Sequence, residues 1–372
     1  MSIETTMTRA WQRQAAWLWL LLPVSWLYGF ITMVRRQAYQ VGLFSSYRAP
    51  IPLMVIGNIT VGGSGKTPLI IALVTHLQKQ GIKVGVISRG YGGDSNQMPA
   101  LVHADSLPSI VGDEPCLIVN MTGAAMAVCP NRKQAITTLL NAHPDLQLII
   151  ADDGLQHYAL QRDIEWIVVD ASRGFGNQQL LPTGFLREPM SRLQGANVVY
   201  HEKAEMIATN NKQAQPTRLT MHLQADELQP LWPSAVEIDG LSVAAKTLMP
   251  PIPNGRVHAV SGIGYPQRFF DTLMALGFDV IGHAYPDHYD FSLDELLQYS
   301  ELPIIVTSKD AVKIRALLIN MSSRQPLNDE YQELVHRLWV LPVTAVLSDG
   351  CYVSLQQQLK ALNINLSKST KA

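Results

Sequence analysis

A lysine and a threonine directly after a glycine-rich loop are the residues of this chain best suited to binding phosphate. The stretch 51–68 begins as an apolar run, continues as the loop and ends at the start of a helical pattern. Backbone N–H groups of a loop with few Cβ atoms can surround an anion, and the positive end of the next helix points at it. The lysine then reaches the β- and γ-phosphates, and the hydroxyl binds Mg²⁺. The predicted ATP-binding residues are Thr60, Val61, Gly62, Gly63, Ser64, Gly65, Lys66 and Thr67.

The loop departs from the strict phosphate-loop pattern at one position. Thr60 stands where that pattern has its first glycine, so the loop is a variant Walker A motif. An ordinary glycine-rich turn between a strand and a helix is the alternative interpretation. The strand before it and the helix after it favour phosphate binding, because a plain turn needs neither Lys66 nor Thr67.

Two aspartates follow another apolar strand. Residues 146–151 are apolar apart from one glutamine and lead into Asp152 and Asp153. A strand that ends in a carboxylate is the expected partner of a phosphate loop, since the carboxylate organises the Mg²⁺ that bridges the nucleotide phosphates. A simple Asp-Gly turn is the alternative, but Lys66 and Thr67 upstream favour the metal site. The predicted metal ligands are Thr67, Asp152 and Asp153.

A histidine follows a strand in the C-terminal part of the chain. His288 lies in the sequence Tyr-Pro-Asp-His-Tyr-Asp, between a predicted strand and a predicted helix. A single histidine is usually structural or exposed, but at the carboxyl end of a strand that faces a cleft it can titrate near neutral pH. Both interpretations remain open on this reasoning.

These residues need two sets of alternating strands and helices to position them. The pattern predicts an α/β protein: a P-loop NTPase-type, mostly parallel sheet flanked by helices, and a second, smaller α/β domain. The loops at the carboxyl ends of parallel strands build the site in such a fold. The predicted parts are an N-terminal helical segment (1–48), the P-loop domain (49–215), a proline-rich linker or hinge (216–255) and the smaller domain (256–372).

Composition excludes some classes of function. The 372 residues carry a formal net charge of −1, which argues against a nucleic-acid binder that neutralises phosphates. The three cysteines show no metal-ligand spacing and fit a reducing compartment. Apolar residues make up 47% and charged residues only 16%, so some surface is expected to face lipid.

The N-terminal segment 17–34 is the candidate for that surface. It carries no charged side chain, is rich in tryptophan and is bounded by Arg13 and Arg35. Its length barely reaches what is needed to span a bilayer, and tryptophans favour the membrane interface. A shallow anchor in the plane of the membrane is therefore favoured over a spanning helix or a helix buried in protein.

Taken together, these motifs resemble the tetraacyldisaccharide 4′-kinases, the lipid A 4′-kinases of Gram-negative bacteria. The resemblance covers nearly the whole chain and rests on the loop 57–68 and on several shorter motifs. One departure is Thr183-Gly184-Phe185, where the family has Ala-Gly-Pro. The shorter motifs are Ser-Arg-Gly-Tyr-Gly at 88–92, Val-Gly-Asp-Glu-Pro at 111–115, Asp-Asp-Gly-Leu-Gln-His at 152–157, Leu-Pro at 181–182, Leu-Arg-Glu-Pro at 186–189 and Asp-His at 287–288.

The resemblance implies transfer of the ATP γ-phosphate to the 4′-hydroxyl of a tetraacylated glucosamine disaccharide 1-phosphate. It implies that Asp113 is the base and that His288 works with it. It also implies an N-terminal helix at the membrane, a hinged two-domain fold, and a location on the cytoplasmic face of the bacterial inner membrane. The loops that face the same crevice hold residues assigned to nucleotide or substrate binding: Arg89, Tyr91, Gln156 and His157.

Two other functions fit the bare motifs. A membrane-associated P-loop ATPase switch would hydrolyse ATP slowly without a lipid acceptor. A soluble small-molecule kinase would use the same loop, with the N-terminal helix docked on the body of the protein.

Overall fold

The computed structural model describes residues 3–203, 218–232, 249–299, 301–323 and 328–364. The strands in chain order are β1 (Leu53–Gly57), β2 (Val84–Ser88), β3 (Ala100–Val102), β4 (Ala125–Val128), β5 (Leu148–Asp152), β6 (Ile164–Asp170), β7 (Asn197–His201), β8 (Leu219–Ala225), β9 (Gln229–Pro230), β10 (Arg256–Ser261), β11 (Asp279–Ala284), β12 (Ile304–Thr307), β13 (Leu338–Leu341) and β14 (Val343–Leu347). The helices are α1 (Ile3–Gln12), α2 (Leu22–Gln40), α3 (Lys66–Lys79), α4 (Pro108–Val111), α5 (Asp113–Thr122), α6 (Arg132–Ala142), α7 (Pro266–Ala275), α8 (Leu293–Leu297), α9 (Ser308–Ser322), α10 (Asp329–Arg337) and α11 (Asp349–Ala361). Short 3₁₀ helices lie at Ala16–Leu21, Ser95–Gln97 and Met190–Leu193.

The larger sheet has nine strands in the order β14-β8-β7-β6-β1-β5-β2-β4-β3. All neighbours pair in parallel except β3 with β4 and β14 with β8. Strand β1 lies at its centre and every one of its residues is buried, as expected for a parallel strand covered by helices on both faces. The predicted P-loop NTPase-type fold is confirmed.

The smaller sheet has five strands in the order β11-β10-β12-β13-β9. Only β9, at one edge, is antiparallel to its neighbour. Aromatic side chains such as Phe269, Phe270 and Trp339 fill the core on one face of this sheet. The second α/β unit that the sequence pattern predicts is therefore present.

The structure differs from the predicted domain bounds in two places. Strand β14 pairs with β8, and α11 buries Cys351 and Leu355 in the core of the larger sheet, so the end of the segment 256–372 belongs to the first unit. The predicted linker 216–255 contains β8, which joins the larger sheet, and β9, which joins the smaller one. Sequence patterns indicate that a strand exists, but its partner is set by contacts far along the chain. The predicted boundary at 215/216 lies outside the described residues.

Helix α2 lies along the body of the larger unit. Its Ser25 hydroxyl is 2.8 Å from the Thr183 hydroxyl and accepts a hydrogen bond from the Thr183 backbone N–H. The Tyr28 hydroxyl donates to the carbonyl oxygen of Arg187. Thr183, one of the two residues that differ from the expected Ala-Gly-Pro, thus contacts this helix. The opposite face exposes large apolar side chains, namely Val24, Trp26, Leu27, Phe30, Ile31, Met33 and Val34, and Trp19 and Leu20 in the preceding 3₁₀ helix are exposed as well.

The helical stretch Ala16–Gln40 has the length and hydropathy of a membrane helix, yet the described structure does not bury it as a core helix would be buried. Only 11% of its most apolar 18-residue segment is buried. This exposure argues against the interpretation as a helix enclosed in protein.

Candidate active site

The glycine-rich loop connects β1 to α3 at the carboxyl edge of the larger sheet. Gly62 and Gly65 have φ values of +93° and +92°, which residues other than glycine rarely adopt. A Cβ atom at Gly65 would also lie 2.8 Å from Nδ1 of His201, whereas one at Gly63 would meet open space. Other residues therefore pack closely against the loop at Gly65, whereas the space at Gly63 is open, as a phosphate-binding loop requires.

Lys66 begins α3 and is held at the mouth of this loop. Its Nζ atom donates to Oδ1 of Asn58 at 3.0 Å and lies 3.4 Å from Oδ1 of Asp153. Arg187 binds both carboxylate oxygens of Asp153 at 3.1 and 3.2 Å. Burial raises the pKa of Asp153, but the charges of Lys66 and Arg187 outweigh it and lower the pKa below its usual range. The Asp153 carboxylate is thus fully engaged by two cations.

Asp152, at the end of β5, is in a different situation. Its Oδ2 accepts a hydrogen bond from the Ser88 hydroxyl at 3.2 Å, while its buried Oδ1 has no hydrogen-bond partner among the described residues. Burial raises the pKa of Asp152, and the charges of Glu114 and Asp153 add to this effect. A buried carboxylate oxygen without a partner fits the oxygen ligands that Mg²⁺ requires.

Mg²⁺ does not need a large set of protein ligands. The described part of the chain holds no group of three or more His, Cys, Asp or Glu side chains placed for a metal. In phosphoryl-transfer sites one or two carboxylates and the substrate phosphates are sufficient, and water supplies the rest. Asp152 and Thr67, which lies in the first turn of α3, therefore stay predicted ligands.

Asp113 and His288 meet across the two sheets. Asp113 begins α5 in the larger unit, and His288 lies in the loop after β11 in the smaller one. Nδ1 of His288 lies 3.1 and 3.0 Å from the two carboxylate oxygens of Asp113. The two residues stand 175 positions apart in the chain, so this pair, hereafter the dyad, exists only because the units pack together.

Two lysines on α9 surround the dyad. Nζ of Lys313 lies 3.5 Å from Asp113, and Nζ of Lys309 lies 3.9 Å from it. Burial raises the pKa of Asp113, but the hydrogen bond from His288 and the charges of Lys309 and Lys313 outweigh it and lower the pKa to about 2. Asp113 is therefore ionised at neutral pH despite its burial.

A family model described as tetraacyldisaccharide-1-P 4'-kinase matches residues 17–360. The chain belongs to the tetraacyldisaccharide-1-P 4'-kinase family. A protein named tetraacyldisaccharide 4'-kinase from Psychrobacter arcticus is 73% identical over 99% of this chain and 98% of its own length. A protein of the same name from Tolumonas auensis is 41% identical over 94% of this chain and 96% of its own length.

A solved structure supports the fold. The protein described as LpxK from Aquifex aeolicus in complex with ATP aligns with a TM-score of 0.66 and covers 93% of this chain and 99% of its own. The two sequences are 23% identical. The likeness therefore shows that this tetraacyldisaccharide-1-P 4'-kinase family member shares the fold of that protein.

The four residues assigned to nucleotide or substrate binding lie in different surroundings in this family member. The exposed Tyr91 ring packs edge-on against His288, with 4.8 Å between ring centroids. Gln156 donates to the carbonyl oxygen of Asn58 and to Glu188, so it braces the strand before the phosphate loop. Arg89 is exposed in the loop after β2.

His157 borders a different part of the molecule. His157, Arg132 and Tyr47 line a cavity of about 340 Å³. The described lining of this cavity includes neither Lys66 nor the dyad. Burial and the nearby arginines, Arg132 foremost, lower the pKa of His157 to about 4, so it is neutral at pH 7. The roles assigned to these four residues stay predictions.

Sequence reasoning missed four charged residues of this tetraacyldisaccharide-1-P 4'-kinase family site. They have no local signature, because charged residues are common on helix and loop surfaces. Glu114 and Arg187 did occur in the Val-Gly-Asp-Glu-Pro and Leu-Arg-Glu-Pro motifs, which were the available signals. The four residues are Glu114, Arg187, Lys309 and Lys313.

Proposed function

We propose that this chain is a kinase that transfers the γ-phosphate of ATP to the 4′-hydroxyl of a tetraacylated glucosamine disaccharide 1-phosphate. Membership in the family supports the reaction, and one observation carries the mechanism: the dyad is assembled from both units beside the phosphate loop. A Cβ atom at Gly264, in the smaller unit, would lie 3.4 Å from the backbone nitrogen of Gly63 and 3.0 Å from Asp287. The loop that carries His288 therefore adjoins the phosphate cradle.

In the proposed reaction Asp113 accepts the proton of the 4′-hydroxyl as the oxygen attacks the γ-phosphorus. The bond from the γ-phosphorus to the β,γ-bridging oxygen breaks, and ADP leaves. His288 orients the carboxylate through its Nδ1–H, which donates to Asp113. Phosphoryl transfer depends chiefly on positioning and charge stabilisation, so a correctly placed and ionised base is what the dyad contributes.

Lys66 and the phosphate loop are proposed to stabilise the charge on the transferred group. In the structure Lys66 is paired with Asp153 and Asn58, so its ammonium is already directed toward the mouth of the loop. Arg187 shares Asp153 and donates from Nε to the carbonyl oxygen of Thr60. This arrangement holds the cations in place before the nucleotide binds, which lowers the reorganisation that the reaction requires.

Mg²⁺ would be held by Asp152 and the hydroxyl of Thr67 and would neutralise charge on the nucleotide phosphates. The partnerless Oδ1 of Asp152 supports this assignment. Asp153 was predicted as a further ligand, but its two ion pairs favour a role in holding Lys66 and Arg187.

The exposed face of α2 is proposed to lie in the membrane interface. Contacts between the helical stretch Ala16–Gln40 and the body extend from the buried Leu18 past Tyr28 to Arg35, whose guanidinium lies 5.8 Å from the Tyr158 ring centroid. A spanning helix would leave the body within a few turns, so these contacts favour a helix in the membrane plane. We place the enzyme on the cytoplasmic face of the inner membrane, where ATP meets an acylated substrate whose chains stay in the bilayer.

A labelling experiment tests the reaction. The full-length enzyme is incubated with γ-labelled ATP and detergent micelles, with or without tetraacyldisaccharide 1-phosphate, and the products are separated by thin-layer chromatography. Label in a lipid product that requires the disaccharide and disappears in D113N supports the kinase. Label only in free phosphate supports the ATPase switch, and label in a water-soluble sugar supports the soluble kinase.

A further inference from the structure

Lys309 lies in a position where helices rarely place a lysine. It is in the first turn of α9, two residues after the N-cap Thr307, where the positive end of the helix dipole repels a cation. Its side chain is only 14% exposed, so water does little to offset that repulsion. A buried cation at a helix N-terminus is contrary to the usual preference of helices for anions at that end. Residues that depart from such local preferences are found mostly at functional sites.

The ammonium of Lys309 joins the two units through three partners. It lies 3.1 Å from Oε1 of Glu114 in the larger unit and 3.2 Å from Oδ1 of Asp287 in the smaller one. Its third partner is Nε2 of His288, also at 3.2 Å. An ammonium has only donors, so Nε2 must accept this hydrogen bond.

The position of the proton on His288 follows from these contacts. If Nε2 accepts from Lys309, the ring carries its proton on Nδ1, and that proton is donated to Asp113. We propose that Lys309 is a positioning residue that holds His288 in the Nδ1–H form, so that the imidazole donates to Asp113 and orients its carboxylate. This inference rests on the proposed role of the dyad in phosphoryl transfer.

The groups around His288 show what Lys309 contributes. Asp113 faces Nδ1, and Asp287 lies 3.8 Å from Nε2. Tyr91 covers the ring edge, and Nζ of Lys313 lies 3.5 Å from Asp113. Without Lys309, Nε2 loses the donor that fixes the tautomer. A ring with its proton on Nε2 would present a bare nitrogen to Asp113 and would lose the hydrogen bond that orients the carboxylate.

Lys309→Met tests the proposal by kinetics, because methionine keeps the length of the side chain and removes its charge. At pH 7 we expect kcat to fall about 10- to 100-fold, the effect of a misplaced catalytic group, while the KM for ATP changes little. Lys309→Arg keeps a donor beside Nε2 and should restore most of kcat.

Lys83→Met is the matched control. Lys83 also forms a salt bridge with an aspartate, Asp145, but at the surface, before the amino end of β2. Its substitution should leave kcat unchanged. A Lys309→Met variant with wild-type kcat, or one whose KM for ATP rises as much as its kcat falls, would overturn the proposal, because a residue that orients the base acts on the chemical step.

Nitrogen NMR tests the tautomer without using activity. In ¹⁵N-histidine-labelled full-length enzyme, the His288 signals are assigned by their loss in H288Q. We expect the Nδ1–H form in the wild type and a larger share of the Nε2–H form in Lys309→Met. A wild-type imidazolium or Nε2–H signal contradicts the proposal even if Lys309→Met does not fold. The expected tautomer in an enzyme that phosphorylates no lipid would refute the proposed function and leave the role of Lys309 intact.

Discussion

Nδ1 of His288 lies 3.0 Å from Oδ2 of Asp113, and the two residues belong to different sheets. Neither unit alone contains this pair. His288 has a φ of +58°, a conformation that residues other than glycine seldom adopt, and its backbone N–H donates to Gly262. Backbone strain of this kind is retained where the surroundings enforce it, commonly at functional sites.

The dyad should behave as one unit in kinetics. We expect Asp113→Ala and His288→Ala each to lower kcat/KM by about 10²- to 10⁴-fold. The double variant should be scarcely slower than the worse single variant, because groups that act together are not additive. A double-mutant cycle on lipid phosphorylation measures this. Losses that multiply would mean that the two residues act independently.

Lys66→Ala should lower kcat by about 10²- to 10³-fold, which corresponds to roughly 3–4 kcal/mol of transition-state stabilisation. The physical reason is the loss of a charge aimed at the transferred phosphate. Lys79→Ala, at the other end of the same helix, is the control and should have wild-type activity. Near-normal turnover of Lys66→Ala would remove the phosphate loop from the mechanism.

Asp152 and Asp153 should differ in metal binding. We expect Asp152→Asn to weaken binding of Mn²⁺, used as a probe for Mg²⁺, in the presence of ATP, as measured by electron paramagnetic resonance. Asp153→Asn should keep the metal affinity but lower kcat, because Lys66 and Arg187 lose their shared partner. Equal losses of metal affinity would make both carboxylates ligands.

Asp113 should contribute to stability in a defined pH range. Its folded-state pKa of about 2 lies below its usual value of 3.8, so the contribution is present above pH 4 and is lost as the pH falls through 2. A shift of this size corresponds to about 2 kcal/mol. The difference in unfolding free energy between wild type and Asp113→Asn should be constant from pH 7 to 4 and shrink below pH 4. Urea unfolding at several pH values measures it, and a difference that grows on acidification would contradict it.

The exposed face of α2 should hold the enzyme at the membrane. Trp26 and Phe30 are 66% and 60% exposed, and serine at both positions removes apolar surface without touching the inward-facing Ser25. We expect this double variant to move into the soluble fraction, because burial of apolar side chains drives interfacial binding. Tyr28→Phe, on the inward face, is the control and should stay with membranes. ATP binding should be unchanged in both, and a double variant that still sediments with membranes would place the anchor elsewhere.

The sequence by itself determined the local parts of this protein. The glycines with Lys66 and Thr67 predicted the phosphate loop, and the apolar strand before Asp152 predicted the carboxyl edge where that residue lies. The uncharged run at 17–34 predicted a helix with lipid-compatible residues. Each of these signals depends on spacing within a few turns or one strand, which is why it can be read without tertiary structure.

Tertiary structure alone decided the contacts between distant residues. In the folded protein β14 belongs to the larger sheet, and Lys309 and Lys313 lie beside the dyad. It also distinguished Asp152, with a free carboxylate oxygen, from its neighbour Asp153, bound by two cations. Strand pairing and ion pairs across an interface depend on how the two units pack, and that packing is a sum of many weak contacts with no counterpart in local sequence.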